Sequence, residues 1–279
     1  MKKTLMKFVA VACAATLGAF ALAGCSSGSS SSSSSSAAPA DTGEVTKLTV
    51  GFDNSYPPYG YIGDDGEYTG FDLDLAERVA GENGWEIELM PIDWDAKDAL
   101  LNQGTVNCIW NGFTMEGRED DYTFSEPYML NQQVIVTKAD SGINTAADLA
   151  GKTVITQIDS AALEVLEGDQ KELADTFGRL DTVGDYNNAF LQLESGTVDA
   201  VACDLSIAAY QMAAKPDVYF QLADPLSSEH YAVGFKKGDE ALAQQVTDTL
   251  KQLYADGVVS EVCAKYADQG LSEDNWILK

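Results

Sequence analysis

The sequence predicts an α/β protein written as two similar lobes, and three observations carry that reading. From Lys47 onward, short β-rich runs alternate with amphipathic segments. Gly104-Thr105-Val106-Asn107-Cys108-Ile109-Trp110 recurs as Gly196-Thr197-Val198-Asp199-Ala200-Val201-Ala202, each after a stretch with helical spacing, 99–103 and 189–194. Leu48-Thr49-Val50 leading to Asp53 recurs, more weakly, as Lys152-Thr153-Val154 leading to Gln157. Gly-Thr-Val alone is a common turn from helix to strand; two matches in the same order favour two lobes of one build.

Residues 1–24 read as a secretory signal: Lys2, Lys3 and Lys7 precede an apolar stretch at 8–21, shorter than the ~20 residues a spanning helix needs. Leu22-Ala23-Gly24-Cys25 resembles the lipobox of bacterial lipoproteins, which implies cleavage before Cys25 and lipidation (palmitate) of its thiol. Residues 25–44 contain an unbroken serine run, Ser29 to Ser36, which buries nothing and reads as a solvated tether with a mean reach of about 25 Å. A domain on such a tether works just outside a membrane.

Beyond the tether, Lys47 to Phe52 and 85–91 read as strands. The stretch 72–83 reads as a helix, with Leu75 and Val79 and then Leu73, Ala76 and Ala80 at helical spacing and Gly84 as its C-cap. The 17 basic residues against 44 acidic ones give a formal net charge of -27, which argues against nucleic acid and anionic lipid as partners. Three lysines and no acid lie in 1–24, so cleavage leaves 14 against 44, or -30. Past Cys13 and Cys25 only Cys108, Cys203 and Cys263 remain, so at least one thiol is unpaired, and small buried residues are the better reading for them. No Walker loop, dinucleotide glycine pattern or zinc-ligand spacing occurs, so neither cofactor nor metal is expected. Asp72 and Asp74, two apart at a helix start, read as solvated residues favoured by the helix dipole, and His230, the lone histidine, as a structural or hinge residue.

Ligands of open α/β sheets bind beyond the carboxyl ends of the strands. In two facing lobes the loops 53–59, 111–118, 157–162 and 203–206 would therefore line a common cleft, and they hold Asp53, Tyr56, Asn111, Thr114, Arg118, Ser160 and Asp204.

Five motifs in order carry a resemblance: Gly51-Phe52-Asp53-Asn54-Ser55-Tyr56-Pro57-Pro58-Tyr59, Gly70-Phe71-Asp72-Leu73-Asp74-Leu75-Ala76, Asn111-Gly112-Phe113-Thr114, Phe124-Ser125-Glu126-Pro127-Tyr128 and Ala232-Val233-Gly234-Phe235-Lys236-Lys237-Gly238. From about Val45 to Ala267 the chain is similar to the family 3 extracellular solute-binding proteins, the amino-acid receptors of ABC importers. The resemblance implies a type II periplasmic-binding-protein-like fold whose two α/β lobes are joined by a two-segment hinge near Tyr128–Gln133 and Pro225–Tyr231. Lobe 1 would then comprise 45–130 plus 229–279, lobe 2 would be 131–228, and binding would close them about the hinge.

By the same resemblance, Arg118 would pair with a ligand α-carboxylate, with backbone N–H groups of Thr114 and of the Ser160-Ala161 turn completing the clamp. Asp204 would receive the α-ammonium, helped by the Gly112 carbonyl and the Thr114 hydroxyl, with Asn111 beside them. Tyr56, Trp94 and Trp110 would wall the pocket, although core packing suits either tryptophan equally, and Asp53 would sit at its far end, which suggests a polar or cationic side chain. Two departures stand out. The loop from Thr114 to Arg118 is one residue shorter than the family's, and Asp159 stands where a glycine is common; on its own, Arg118 beside Glu119-Asp120-Asp121 also fits a surface salt bridge.

The expected partners are a small amino acid, an ABC permease and the membrane through Cys25, with the protein a monomer and not an enzyme. The competing reading is a dehydratase of the same fold acting on prephenate or arogenate, for which Asp53 or Glu116 would be the general acid.

Overall fold

The computed structural model describes residues 45–279; the signal, the tether and Cys25 lie outside the described residues. In the first lobe, β1 (Lys47–Phe52) is followed by β2 (Ser55–Tyr56), β3 (Gly60–Ile62), β4 (Tyr68–Thr69), α1 (Phe71–Asn83), β5 (Glu86–Pro91), α2 (Lys97–Asn102), β6 (Cys108–Ile109) and β7 (Tyr122–Phe124). The second lobe runs through β8 (Met129–Lys138), β9 (Thr153–Gln157), α3 (Ala161–Glu167), α4 (Lys171–Ala174), β10 (Arg179–Val183), α5 (Tyr186–Ser195), β11 (Ala200–Asp204), α6 (Leu205–Ala214), β12 (Tyr219–Gln221) and β13 (Ser227–Tyr231). The chain then returns with β14 (Gly234–Lys236), α7 (Glu240–Ala255) and α8 (Val258–Lys265). The first sheet has the order β5-β1-β6-β14-β7, the second β10-β9-β11-β8-β12 with β13 along β8, and β2-β3-β4 form a small third sheet that the sequence pattern does not announce. This is the type II fold of periplasmic binding proteins.

Both sheets mix parallel and antiparallel pairs, and their central strands are apolar on both faces because each face packs into a buried cluster. Along β8, Val134 and Val136 join one buried cluster with Phe190 and Ile207, while Ile135 between them joins another with Val154 and Leu166. Each such side chain taken out of water contributes about 1.5–3 kcal/mol.

The internal repeat is real at the level of single hydrogen bonds. Gly104 and Gly196 both adopt left-handed φ values, 73° and 74°. After each, the next N–H reaches back to close the helix, Thr105 to the Leu100 carbonyl and Thr197 to that of Gln192. Asn107 then takes the Thr49 N–H on its Oδ1 at 2.7 Å and returns its own N–H to the Thr49 carbonyl; Asp199 does the same with Thr153, at 2.8 Å. These clamps lock β6 onto β1 and β11 onto β9, with Val50 opposite Cys108 and Val154 opposite Ala200. Gly84 ends α1 in the same left-handed way, so β5 starts at Glu86, one residue later than the sequence pattern suggests. The strand expected from 85 therefore loses Trp85, which serves the cap by donating its N–H to Ala80.

The two crossing segments are neighbours. β13 runs antiparallel to the start of β8, from Ser227 opposite Gln133 to Tyr231 opposite Met129.

Candidate functional site

Nine of the ten residues expected at the cleft line one cavity between the lobes: Tyr56, Trp94, Asn111, Gly112, Thr114, Arg118, Ser160, Ala161 and Asp204. The tenth position is taken by Gln157, and Asp53 lines a second, larger cavity beside it. Trp94 lines both, and Gln157 donates its Nε2 to Asp53 Oδ2 at 2.7 Å. The first cavity measures about 20 Å³, room for a single water and far less than an amino acid fills. The second, about 330 Å³, is ringed by Asp53, Asp93, Asp95 and Asp185.

Arg118 is 6% exposed, and its ion pair is with Glu164, not with Glu119, Asp120 or Asp121. Its Nη1 donates to the Thr114 carbonyl, and Nε and Nη2 both donate to Glu164 of α3 in the opposite lobe, at 3.1 and 2.7 Å. The guanidinium also lies 5.0 Å from the centre of the Phe113 ring. The shortened loop thus still delivers the arginine to the cleft. Asp159 sits at φ 54°, a left-handed position where glycine meets no steric resistance and Asp is among the better substitutes. Its carbonyl accepts from Trp94 Nε1 and Arg118 Nη2, and its carboxylate lies 3.8 Å from the buried Lys97, so three lobe 1 side chains hold the turn. Ser160 follows as N-cap of α3, its Oγ accepting the Leu163 N–H.

On the other lobe, Asp204 ends β11 at 5% exposure and accepts from Gln133 Nε2, Asn131 Nδ2 and Tyr231 Oη at 2.6, 2.9 and 2.9 Å. Burial pushes its carboxyl up from the usual carboxylate range against those donors. Burial likewise raises Asp53 to about 6, opposed by the Ser55 N–H and the Gln157 amide. Asn111 has neither its Oδ1 nor its Nδ2 partnered although it is buried, so the cavity contains an unused amide. Gly112, at φ 55°, leaves no space for a β-carbon: one would meet the Tyr231 and Tyr56 rings at 2.9 and 3.0 Å.

Several expectations are corrected. Trp110 is wholly buried in the core and lines neither cavity. The Thr114 hydroxyl donates to Glu229 at 2.8 Å, and its oxygen can still accept from an ammonium. Asp72 is not solvated: it is fully buried, accepts the Tyr128 hydroxyl and the Gly112 N–H, and burial raises it to about 7. It therefore braces the Gly112 turn from behind. His230 sits in β13 with its Nδ1 2.5 Å from Glu116. Cys108, Cys203 and Cys263 are all free and buried. Sequence reasoning missed Gln157 as a lining residue and the polar cluster of Asn131, Gln133 and Glu229 behind Asp204. The alternation of Asn131 with Gln133 and of Glu229 with Tyr231, one face of each crossing strand, was the available signal.

Residues 48–269 match the bacterial extracellular solute-binding proteins, family 3. The chain is 30% identical over 237 residues to the L-cystine-binding protein TcyJ of Escherichia coli (strain K12), covering 81% of this chain and 87% of that protein. It superposes on a substrate-binding protein of an ABC uptake transporter from Streptococcus pneumoniae with bound histidine, at a TM-score of 0.78 and 33% identity, over 82% of this chain and 95% of that one. A second solved structure, Tv2483 bound to L-arginine, gives a TM-score of 0.76 at 27% identity, over 82% and 93%. With the motifs, the two-lobed fold and the shared cleft in agreement, the chain belongs to the family 3 bacterial extracellular solute-binding proteins.

Proposed function

We propose that this chain captures an L-α-amino acid with a cationic or polar side chain between its lobes, 45–130 plus 229–279 and 131–228, and delivers it to the permease of an ABC importer. The observation that carries the reading is a buried guanidinium and a buried carboxylate, Arg118 and Asp204, lining one cavity from opposite lobes. One positive and one negative group lining one cavity suit a zwitterion, with Arg118 exchanging Glu164 for the ligand carboxylate and Asp204 taking the ammonium. The four carboxylates around the adjoining cavity would attract a cationic side chain and repel a side-chain carboxylate such as that of glutamate. Histidine and arginine in the two similar structures agree with this preference.

Lipidation at Cys25, supported by the lipobox, would hold the receptor to the outer face of the cell membrane as a tethered monomer. The named relatives are binding proteins. Of the candidate general acids, Glu116 is engaged by the His230 N–H and ring and lines neither cavity, which weighs against the dehydratase reading. Calorimetry against the common amino acids will show one binding event, weakened at least a hundredfold, about 3 kcal/mol, by Arg118→Ala or Asp204→Ala. Normal binding by both variants sinks the site assignment, and turnover of prephenate or arogenate sinks the receptor.

A further inference from the structure

We infer that Asp204 and Glu229 form one buried carboxylate pair that holds a single proton in the closed, empty cleft, and that docking of a ligand ammonium on Asp204 expels that proton to solvent. This rests on the reading of Asp204 as the ammonium acceptor. It makes Glu229, which lines neither of the two cavities described above, the residue that sets how strongly capture responds to pH.

The pair is built by strand register. β8 lies between β11 and β13 at this point, with Gln133 opposite Asp204 on one side and Asn131 opposite Glu229 on the other. Asn131 and Gln133, two residues apart, present their amides to the same face. Asn131 Nδ2 donates to Asp204 Oδ1 at 2.9 Å and to Glu229 Oε1 at 2.7 Å; Gln133 Nε2 donates to the same two oxygens at 2.6 and 2.8 Å. An amide nitrogen carries two hydrogens, so each amide spans both carboxylates and holds them together.

Neutral groups complete the surroundings. The Tyr56 and Tyr231 hydroxyls face Asp204, with Tyr59 and Tyr186 behind them, and the Thr114 hydroxyl faces Glu229. On the flank, Glu116 pairs with His230, and Arg118 is turned to Glu164 and Asp159. Among the described residues, no lysine, arginine or histidine makes an ion pair with either carboxylate. Glu229 is 3% exposed. Two ionised carboxylates bridged by the same two amides repel each other, before desolvation is counted. One proton relieves both costs, and burial with the neighbouring Asp204 charge raises Glu229 to about 7. An ammonium on Asp204 supplies the missing positive charge, so both carboxylates ionise and the proton leaves.

The sign follows. The empty protein binds a proton that the complex does not, so ligand affinity rises with pH up to about 7 and levels off above it. The test uses Glu229→Gln, which keeps an oxygen acceptor and removes the second charge, with Asp204→Asn as a check on the partner. Infrared titration of the ligand-free protein should show a protonated-carboxyl band lost near neutral pH and missing from Glu229→Gln. Asp53 and Asp72 titrate in the same span, so the band is read as the difference between wild type and variant. Calorimetry with L-arginine in two buffers of different ionisation enthalpy should show close to one more proton released by wild type than by Glu229→Gln at pH 6, and equal release at pH 9. The absence of a band difference, or equal proton release at pH 6, overturns the pair. If L-arginine fails to bind, the infrared result still decides the shared proton, and the failure counts against the functional reading alone.

Discussion

The two lobes share a frame and differ at its tips. Thr49 with Asn107 and Thr153 with Asp199 make the same clamp, and Gly104 and Gly196 close the same helix ends. Counted from those clamps, however, Asp53 corresponds to Gln157, and Asn111-Gly112 to Cys203-Asp204. The repeat builds two strands and a turn in each lobe, and the chemistry sits where the repeat stops. Asp53 and Gln157 even meet across the closed cleft, so the molecule's approximate symmetry ends in a hydrogen bond between unlike equivalents.

The comparison can be broken most severely at Gly112. Gly112→Ala places a β-carbon against two tyrosine rings in a left-handed turn, and should lower stability by about 3 kcal/mol in chemical denaturation and abolish ligand binding. Neither effect is expected from a change confined to the frame.

Asp53→Asn makes the lobes more alike at their tips. Because the Asp53 carboxyl is raised to about 6 from 3.8, the folded state takes up its proton before the unfolded chain does. Its contribution is therefore complete below about pH 4 and lost by about pH 6, so Asp53→Asn should flatten the pH dependence of stability in that window by about 2 kcal/mol. It should also weaken binding of a cationic side chain more than that of a neutral one, which competition calorimetry would show.

The smallest effect tests the frame itself. Asn107→Ala and Asp199→Ala each strand one backbone N–H, and both should cost about 1–2 kcal/mol in denaturant titration with ligand affinity nearly unchanged. A large difference between the two would mean that the clamps are equivalent in geometry and not in energy.

The same division explains what could be read in advance. Helices, strands and the repeat were legible because they rest on periodicity and local turns, as with Leu75, Val79 and Gly84. Tyr56, Asn111, Thr114, Arg118, Ser160 and Asp204 were legible from the loops at strand ends, and Trp94, Gly112 and Ala161 through motif resemblance. Asp72 was not, because an acid in a first helical turn looks favourable in water, and its burial depends on Tyr128 and Gly112 arriving from distant segments. Glu229, in Ser227-Ser228-Glu229-His230, resembles a polar loop until β8 is laid beside it. Gln157 lies in the expected loop 157–162, but a neutral amide at a strand end carries no charge that marks it as a lining residue.

The pairing of β13 with β8 has an evolutionary and engineering consequence. The strand that leaves the first lobe and the strand that returns to it are direct ladder neighbours, so everything between them is topologically an insertion cassette whose two ends already touch. A cassette of that kind can be exchanged for a relative's, carrying its own Asp204 and Ser160 equivalents, without rerouting the host chain. It also offers adjacent attachment points for reporter groups on the two crossing strands.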